Sequence, residues 1–414
     1  MRILIYSANF SPEPTGVGKY SGEMAAWLAD RGHEVRVVAA PPYYPKWRIA
    51  REYLWPPFRR ERWRGIDVWR APIWVPKRPG GLSRTVHLLS FAISSFPLML
   101  LSIGWRPNVV LTVAPAFLCA PAGLLTATLC RAKSWLHLQD FEIDVAFRMG
   151  LLKGRFLERV AARMERWTLR RFHTVSTISS RMMERLHMKG VARERTCYFP
   201  NCVDVGKTAP PRGPASYRAE LGIPAGAVVA LFSGTLGGKQ GLMVIPQAAR
   251  RLAWRDDVVF VVCGEGVMKA RLQAASRGLP NLRLLPLQPA ERLYQLLSMA
   301  DIHLMPQSPD AADLVLPSKL SGMLASGRPV IATCRPNTEI GEIVSQCGLV
   351  VPAEDDLALA LAIGALADQP ALRRDLGLRA RQIAETRFDR EVTFKRVFGS
   401  LDAEAAEVAD DAAA

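Results

Sequence analysis

A repeated alternation between short apolar runs and stretches with helical periodicity most constrains the fold of this chain. The N-terminal run "RILIY" is followed by apolar residues at helical spacing around Trp27, and then by the apolar run "EVRVVAAP". Uninterrupted apolar runs of this length are typical of parallel strands buried on both faces. The first half therefore predicts a βαβ-type domain. Further strands are predicted at 108–115, 133–139 and 173–179.

The second half repeats this rhythm after a stretch rich in Pro and Gly, residues 205–216. Its predicted strands are 227–234, 257–264, 281–287, 301–306, 328–333 and 348–352. A chain of 414 residues is too long for one ordinary core. The sequence predicts an α/β protein of two doubly wound, Rossmann-like domains, whose strand ends face a ligand cleft. The predicted parts are a first domain over 1–204, a second over 217–385, a helix at 386–402 that returns to the first domain, and a disordered tail at 403–414.

The cysteine pattern and the N-terminus indicate the compartment. The chain has seven cysteines, an odd number, with no C-x-x-C pair. This argues against a zinc site or a disulfide framework and for a reducing compartment. The N-terminus "MRILIYSANF" has no apolar h-region after its basic residue, so no signal peptide is expected. We therefore expect a cytoplasmic protein.

Positive charge is concentrated in the first half. Residues 1–200 carry 31 Lys and Arg against 14 Asp and Glu, whereas residues 201–414 carry 23 against 24. A soluble basic surface would account for this excess of positive charge. So would a face that contacts phosphate groups. The basic residues lack the spacing of a recognition helix, an RNP-type strand or a zinc finger, so no nucleic acid is expected as a partner. Between residues 43 and 65 they alternate with aromatic residues, as in segments at a membrane interface.

Two runs without charged residues, 85–105 and 107–130, are each long enough to cross a bilayer. The second contains a strand pattern and two prolines, which favours a strand followed by a buried helix. The first contains Pro97 and several serines. It leaves two interpretations open, a monotopic membrane-embedded helix and a buried helix, and both are favoured over a full membrane span.

A glycine-rich segment, "PEPTGVGKY", follows the first predicted strand. Gly16 and Gly18 have no third glycine at the spacing of a dinucleotide-binding loop, and no clear acidic residue follows about 20 positions later. This argues against a nicotinamide cofactor. Two interpretations remain, a phosphate-binding loop and a tight turn that needs a positive φ at one glycine.

Two segments of the second half favour the phosphate-binding interpretation. "FSGTLGGKQG", residues 232–241, follows a strand and is predicted to open a helix, where bare backbone N–H groups suit a pyrophosphate. "LPSKLSGMLASGRPVIAT", residues 316–333, places Pro317 and Ser318 at a predicted helix start, with Lys319 beside free N–H donors. A capped core helix would explain the apolar positions of this segment but not its lysine.

The order of these motifs resembles that of the retaining family-4 glycosyltransferases of GT-B fold. The resemblance covers roughly residues 1–400 and includes "FPNCVDVGK", "VVCGEG", "MADIHLMPQ" and "EIGEIVSQCGLVVPAED". Within the family the sequence is most similar to enzymes of colanic-acid-type exopolysaccharide synthesis. The resemblance implies transfer of a sugar, with retention, from a nucleotide sugar to a polyprenyl-diphosphate-linked acceptor at the inner face of the membrane. GDP-fucose and GDP-mannose are favoured over a UDP-sugar.

The resemblance also implies the donor-binding residues. These are Gly16, Gly18, Gly234, Thr235, Lys239, Gln240, Gly264, Glu265, Pro317, Ser318, Lys319 and Leu320. Thr235 and Gln240 stand where the family commonly has Arg and Lys, and Lys239 lies one residue early. The two glutamates that many members carry eight residues apart are replaced here by Leu314 and Gly322.

The candidate catalytic residues lie at the end of the predicted strand 133–139. The resemblance implies front-face return, in which the leaving phosphate helps to take the acceptor proton, and no convincing pair of carboxylates supports a double displacement. Asp140 occupies the place where the family often has a catalytic histidine. His137 is a second candidate, although a core histidine with a satisfied ring is the favoured interpretation.

No metal site is expected. Many transferases bind a metal ion through a D-x-D motif, and the nearest match here, Glu142-x-Asp144, is predicted to lie in a solvated loop. Lys239 and Lys319 can supply positive charge to the leaving diphosphate instead. We therefore expect transfer without an obligatory metal or any other cofactor.

Three other functions agree less well with the sequence. An oxidoreductase that uses a dinucleotide is disfavoured by the missing third glycine, and a nucleotide-sugar epimerase needs carboxylates and a histidine that cannot be placed in the cleft. A non-catalytic membrane scaffold leaves both glycine loops unexplained. The expected partners are a nucleotide-sugar donor, a lipid-linked acceptor and an anionic membrane surface, with the protein peripheral or monotopic on the inner face of the plasma membrane.

Overall fold

The computed structural model of the chain describes residues 1–77, 80–115, 117–148, 154–208, 216–309 and 316–413. It divides into two compact units: unit 1 is Met1–Pro200 with Phe394–Ala414, and unit 2 is Asn201–Thr393. The predicted boundary after residue 204 thus moves to residue 200. The reason is that Val203 pairs with Asp389 in a parallel bridge and packs in the core of unit 2. Residues 209–215 of the predicted linker lie outside the described residues.

Unit 1 is built on a sheet that, over the described residues, has eight strands in the order β3-β4-β2-β1-β5-β6-β7-β8. Neighbouring strands are parallel except β3 and β4, which are antiparallel. The strands are β1 Arg2–Ser7, β2 Glu34–Ala39, β3 Arg59–Trp63, β4 Ile66–Arg70, β5 Val109–Ala114, β6 Lys133–Leu138, β7 Thr174–Thr177 and β8 Thr196–Tyr198. Every strand predicted for this half is present, and β3, β4 and β8 are additions.

Helices cover both faces of the unit 1 sheet. They are α1 Gly16–Asp30, α2 Gly81–Ile103, α3 Ala120–Cys130, α4 Glu142–Arg148, α5 Arg155–Leu169 and α6 Ser180–Met188, with 3-10 turns at Arg51–Tyr53, Phe117–Cys119 and Arg193–Arg195. The apolar run 85–105 is therefore a helix, and the run 107–130 is a strand followed by a helix, as predicted.

The last helix of the chain, α15 Arg390–Ala413, contributes aromatic side chains to unit 1. The rings of Phe394 and Phe398 lie 5.4 Å and 6.0 Å from that of Trp27. The helix continues through Ala413, where the sequence predicted a disordered tail from residue 403. Its last turns are rich in Ala, the residue with the highest helix propensity.

Unit 2 contains a second sheet which, in the part of the chain described, has six strands that are all parallel, in the order β11-β10-β9-β12-β13-β14. They are β9 Val228–Ser233, β10 Val258–Cys263, β11 Leu282–Leu285, β12 Ile302–Pro306, β13 Val330–Thr333 and β14 Gly348–Val351. All six coincide with predicted strands. The core lies between this sheet and its helices, with Phe232 and Phe260 fully buried.

The helices of unit 2 connect these strands. They are α7 Ser216–Glu220, α8 Val244–Arg251, α9 Lys269–Ala275, α10 Leu293–Ser298, α11 Lys319–Ala325, α12 Glu339–Val344, α13 Asp356–Asp368 and α14 Pro370–Ile383, followed by a π-helical turn at Ala384–Phe388. Shorter 3-10 turns lie at Gly206–Thr208, Gly238–Gln240 and Ala290–Arg292. The glycine segment 232–241 was predicted to open a helix directly. It leads instead into a 3-10 turn, and α8 begins at Val244.

Candidate active site

The loops that follow β9 and β10 in unit 2 pack against each other through glycine backbone. Gly234 and Gly264 have φ values of +145° and +155°, a region that side chains rarely adopt. A Cβ on Gly264 would lie 1.9 Å from the carbonyl oxygen of Gly234. The Leu236 N–H donates to the carbonyl oxygen of Glu265 at 2.8 Å. Glycine is therefore required where these two loops meet at the carboxyl edge of the sheet.

Replacing Gly264 with alanine is expected to destabilise unit 2 by about 1–3 kcal/mol, because the new Cβ must push the Gly234 carbonyl aside in strained backbone. The melting temperature and nucleotide binding should both fall. Gly238→Ala is the matched control, since a Cβ there meets no atom within 4 Å. A Gly264→Ala variant with unchanged melting temperature and nucleotide binding would show that this backbone contact is dispensable.

The side chain of Lys319, the first residue of α11, passes beside Gly234. A Cβ built on Gly234 would lie 3.3 Å from Lys319 Cδ and 3.9 Å from Nζ. Nζ lies 3.9 Å from the centroid of the Phe232 ring, and among the described residues it has no hydrogen-bond partner. Burial lowers the pKa of this group from 10.5 to about 7. An anion bound beside Gly234 would supply the missing partner.

The residues that flank Lys319 are used by the fold itself. Ser318 has helical backbone angles, and its side chain makes no capping hydrogen bond to α11. The Leu320 N–H donates to the Pro317 carbonyl oxygen at 3.0 Å, and the Leu320 side chain is fully buried in the unit 2 core. Leu320 was predicted to bind the donor, but its N–H and its side chain are both engaged in the fold.

The remaining predicted donor residues of unit 2 lie on the loops that follow β9 and β10. Thr235 is exposed, and Lys239 lies in the 3-10 turn Gly238–Gln240. Glu265 forms an ion pair with Lys269 at 2.6 Å. The Oε1 atom of Gln240 is buried and, within the described part of the chain, accepts no hydrogen bond. Among the described residues, the Gln240 amide oxygen is thus, like the Lys319 ammonium group, a buried polar group that makes no hydrogen bond.

In unit 1 the glycine segment is organised by Glu13, which the sequence analysis did not single out. Its carboxylate accepts hydrogen bonds from the backbone N–H groups of Tyr43 and Tyr44 at 3.1 Å and 3.0 Å. Burial raises the pKa of Glu13, and these two bonds oppose the shift. A Cβ on Gly18 would lie 2.4 Å from the Glu13 carboxylate, and Gly16 has a φ of +66°. The tight-turn interpretation therefore accounts for Gly16, and the close contact with Glu13 accounts for Gly18.

Asp140 lies just beyond the end of β6 and is half-buried. His137, within β6, is buried: its Nδ1 lies 2.9 Å from Ser176 Oγ and its Nε2 lies 2.9 Å from Gln139 Nε2. The His137 ring packs on Phe199 with 4.6 Å between centroids. Burial lowers its pKa to about 3, so the ring is neutral at physiological pH. His137 is a core histidine, and only Asp140 stays a candidate for catalysis.

Glu142 and Asp144 lie on α4 and not in the solvated loop that the sequence predicted. Glu142 accepts a hydrogen bond from the Phe117 N–H at 2.7 Å, and burial, assisted by the charge of Asp140, raises its pKa to about 7. Asp144 forms an ion pair with Lys189 at 2.9 Å. The two carboxylates have separate partners and do not form a D-x-D pair. Glu142 is instead a buried carboxyl group within the electrostatic reach of Asp140.

Over the residues described, no group of three or more His, Cys, Asp or Glu side chains is arranged to hold a metal ion. That transfer needs no metal remains a prediction.

Known protein families match both units. The model described as "Glycosyl transferase 4-like domain" matches residues 15–202, and "Glycosyl transferases group 1" matches residues 227–369. The chain is 40% identical over 410 residues to the colanic acid biosynthesis glycosyl transferase WcaI of Escherichia coli (strain K12), which covers 97% of this chain and 100% of that protein. The chain belongs to the glycosyltransferases. The family predicted from the sequence is confirmed.

More distant relatives and solved structures agree. This glycosyltransferase is 27% identical over 351 residues to the 2-deoxystreptamine N-acetyl-D-glucosaminyltransferase of Streptomyces fradiae, over 81% of this chain and 79% of that protein. HepE from Anabaena in complex with UDP superposes with a TM-score of 0.71 at 17% identity, over 97% of this chain and 100% of that one. For sucrose-phosphate synthase from Thermosynechococcus elongatus the TM-score is 0.74 at 16% identity, over 99% and 100%. The predicted two-domain α/β GT-B fold is confirmed.

The glycosyltransferase exposes one face of α2. Its other face is core: Phe91 and Met99 are fully buried, and Ser95 Oγ lies 2.6 Å from the Tyr6 hydroxyl. The exposed apolar side chains are Val86, Leu89, Ile93, Phe96, Leu100 and Leu101. Within the described residues α2 is the helix long and apolar enough to cross a membrane by length and composition alone, with 33% of that stretch buried. The buried-helix interpretation holds for one face, and the other face stays a candidate membrane contact.

Segment 43–65 is partly absorbed into the unit 1 sheet of the glycosyltransferase. Its end forms the edge strand β3, where Trp63 packs on Phe10 with 5.4 Å between ring centroids. Leu54, Trp55 and Phe58 remain exposed before that strand. The alternation of arginine and aromatic residues is thus explained in part by an edge strand.

Proposed function

We propose that this glycosyltransferase transfers a sugar from a nucleotide sugar to a polyprenyl-diphosphate-linked saccharide in colanic-acid-type exopolysaccharide synthesis, with retention of configuration. The likeness to WcaI over nearly the whole chain supports the pathway. Complexes of HepE with UDP and with UDP-glucose support a nucleotide-sugar donor. The observation that carries the donor site is the Lys319 ammonium group, which is buried beside Gly234 and has no hydrogen-bond partner among the described residues.

In this proposal the donor diphosphate lies against the Gly234 and Gly264 loops, next to Lys319. Negative charge develops on the diphosphate as its bond to the sugar breaks, and a fixed cation in a site shielded from water stabilises that charge strongly. The Gln240 amide oxygen on the same loop, which accepts no hydrogen bond among the described residues, is proposed to accept one from a hydroxyl group of the donor and not to contact the diphosphate. Thr235, Lys239, Glu265, Pro317 and Ser318 are proposed to line the rest of the donor site, and GDP-fucose or GDP-mannose is proposed over a UDP-sugar.

In the proposed reaction, the anomeric carbon of the donor sugar loses one bond and forms another on the same face of the sugar ring. The bond to the diphosphate oxygen breaks, a bond to the acceptor hydroxyl oxygen forms, and the hydroxyl proton passes to an oxygen of the leaving phosphate. No protein base is consumed in this scheme. Asp140 is proposed to orient the sugar and the acceptor, and Gly16 and Gly18 to let the backbone approach the sugar-diphosphate closely.

A thermal-shift series with GDP and UDP tests the donor site, because a ligand that binds only the folded state raises the melting temperature by mass action. We expect GDP to raise it more than UDP at equal concentration. Transfer from GDP-fucose, GDP-mannose and UDP-glucose, with and without chelator, then identifies the sugar and tests the metal-independent chemistry. The donor site is assigned wrongly if neither nucleotide changes the melting temperature.

The exposed face of α2 is proposed to contact the membrane that holds the acceptor. Replacing Ile93, Leu100 and Leu101 with serine should release part of the protein from anionic vesicles, because apolar insertion is lost while the basic surface remains. Co-sedimentation measures this, with wild type released partly by high salt and fully by detergent. Leu98 is left unchanged because it packs against the core. Full retention on vesicles would show that this exposed face does not hold the protein on the membrane, and loss of nucleotide binding would show that the substitutions disturb the fold.

The alternatives, a nucleotide-sugar epimerase and a dinucleotide-dependent enzyme of similar fold, gain no support from the relatives named above.

A further inference from the structure

Helix α5 has an exposed apolar face that does not pack in the core of unit 1. At 3.6 residues per turn its side chains divide into three sectors around the helix axis. One sector faces the interior and contains the buried residues Glu165, Thr168 and Leu169. The other two sectors face solvent, and their compositions differ sharply.

The second sector is an exposed apolar stripe. Phe156, Met164 and Trp167 are 77%, 63% and 54% exposed, and Leu157 and Val160 lie between them and are also exposed. Their spacing places all five within an arc of roughly 100°. Single exposed apolar residues are normal on protein surfaces, whereas a continuous stripe indicates that something covers it.

The third sector is basic and adjoins the stripe. It consists of five exposed arginines, Arg155, Arg159, Arg163, Arg166 and Arg170. Just after the helix, the guanidinium carbon of Arg171 lies 4.0 Å from the centroid of the Trp167 ring. The partner that covers the stripe must therefore be apolar with an adjoining negative surface.

The position of α5 in the sheet connects this stripe with α2. The connections from β4 to β5, from β5 to β6 and from β6 to β7 all cross the sheet in one direction. Right-handed connections of this kind place α2, α3 and α5 in one layer. In α3, Leu125 and Leu129 are exposed as well. Exposed apolar side chains thus recur along one face of the unit with the positive charge.

We propose that α5 lies in the headgroup region of an anionic bilayer, with Phe156, Met164 and Trp167 inserted and the arginine flank on the lipid phosphates. This deepens the proposed function and rests on it, since it specifies how the protein reaches a membrane-bound acceptor. An apolar stripe with Trp and a flank of arginines is the composition of interfacial helices. A second copy of the chain is a poorer occupant, because a symmetric contact through the stripe would bring two arginine flanks together.

The test uses the full chain and two kinds of vesicle, one of phosphatidylglycerol with phosphatidylethanolamine and one of phosphatidylcholine alone. The variant Phe156→Ser/Met164→Ser/Trp167→Ser is expected to lose at least about tenfold in affinity for the anionic vesicles, since it removes the inserted side chains. A variant with Arg159, Arg163 and Arg166 changed to glutamine should lose the preference for anionic over neutral vesicles and its salt dependence. Leu361→Ser/Leu378→Ser, at exposed leucines of unit 2, is the matched control and should bind as wild type does.

Two results would overturn the proposal: wild-type affinity of the serine variant for anionic vesicles, or a serine variant that loses only self-association in size-exclusion chromatography. If the serine variant does not fold, the arginine variant tests the proposal instead. An arginine variant that prefers anionic over neutral vesicles as strongly as wild type does would also contradict the proposal. Sugar transfer to a polyprenyl-diphosphate-linked saccharide dispersed in detergent is measured in parallel. Wild-type protein that binds vesicles but transfers no sugar would contradict the proposed function and leave the placement of α5 standing.

Discussion

Replacing Lys319 with methionine is expected to lower kcat/KM for sugar transfer by about 100- to 1000-fold, the usual loss when one preorganised donor to a developing negative charge is removed. Methionine keeps the apolar stem beside Gly234 and removes only the ammonium group. Lys239→Met should cost less, because Lys239 is displaced by one residue from the position common in the family. Steady-state kinetics with the donor chosen by the thermal-shift series gives the comparison.

The same variant should be more stable than wild type at neutral pH, while it is less active. The pKa of Lys319 is lowered to about 7 in the folded protein from 10.5, so the unfolded chain binds more protons between these values. Wild-type stability therefore rises as pH increases from 7 towards 10.5, and the advantage of the methionine variant, on the order of a few kcal/mol, shrinks over that range.

The control is Lys207→Met, at an exposed lysine of unit 2, which should leave the activity unchanged. A Lys319→Met variant with wild-type turnover would mean that the diphosphate does not lie beside Gly234. A donor that does lie there returns the ammonium group to its charged form, so donor binding near pH 8 should take up a proton. Calorimetry in buffers of different ionisation enthalpy detects this uptake.

Asp140→Asn is expected to lower kcat by about 100-fold or more while the donor KM changes little, because the residue is proposed to act at the reacting centre and not in donor binding. The substitution keeps the size of the side chain and removes its charge. Its effect on the buried carboxyl of Glu142 is a second readout: loss of the Asp140 charge removes one of the causes that raise the pKa of Glu142. The pH profile of kcat should therefore be measured together with its magnitude.

Asp144→Asn is the matched control on the neighbouring helix. It weakens the ion pair with Lys189. We therefore expect a lower melting temperature and little change in kcat. Unchanged kcat with a raised donor KM in the Asp140 variant would move Asp140 from the reacting centre to donor binding.

The strands that the sequence predicted are those whose composition reflects burial on both faces. β10 is an unbroken apolar run, "VVFVVC", and all six of its residues are buried. β3, with the sequence "RRERW", was missed because it is an edge strand whose charged side chains remain partly exposed. β8 is only three residues long, too short for a pattern to show.

The sequence predicted only those parts of the site whose residues lie close together along the chain. The glycines and Lys319 stand in recognisable segments, but the burial of the Lys319 ammonium group depends on Phe232 and Gly234, which lie far away in the sequence. Glu13 gave no signal because its partners, the N–H groups of Tyr43 and Tyr44, come 30 residues later. In the sequence, Glu13 is distinguished only by its position shortly before Gly16 and Gly18.

The aromatic contacts of α15 also set the order in which the protein is completed during synthesis. Trp135 and Phe199 of unit 1 pack on Phe398, 5.3 Å and 5.4 Å away between ring centroids. Every residue of unit 2, Asn201–Thr393, leaves the ribosome before Phe398 does. Although domains generally fold from the N-terminus onward, here the second unit can finish folding while the first still lacks part of its core. A chain that ended before residue 394 would thus contain all of unit 2 and a unit 1 whose aromatic cluster lacks Phe398.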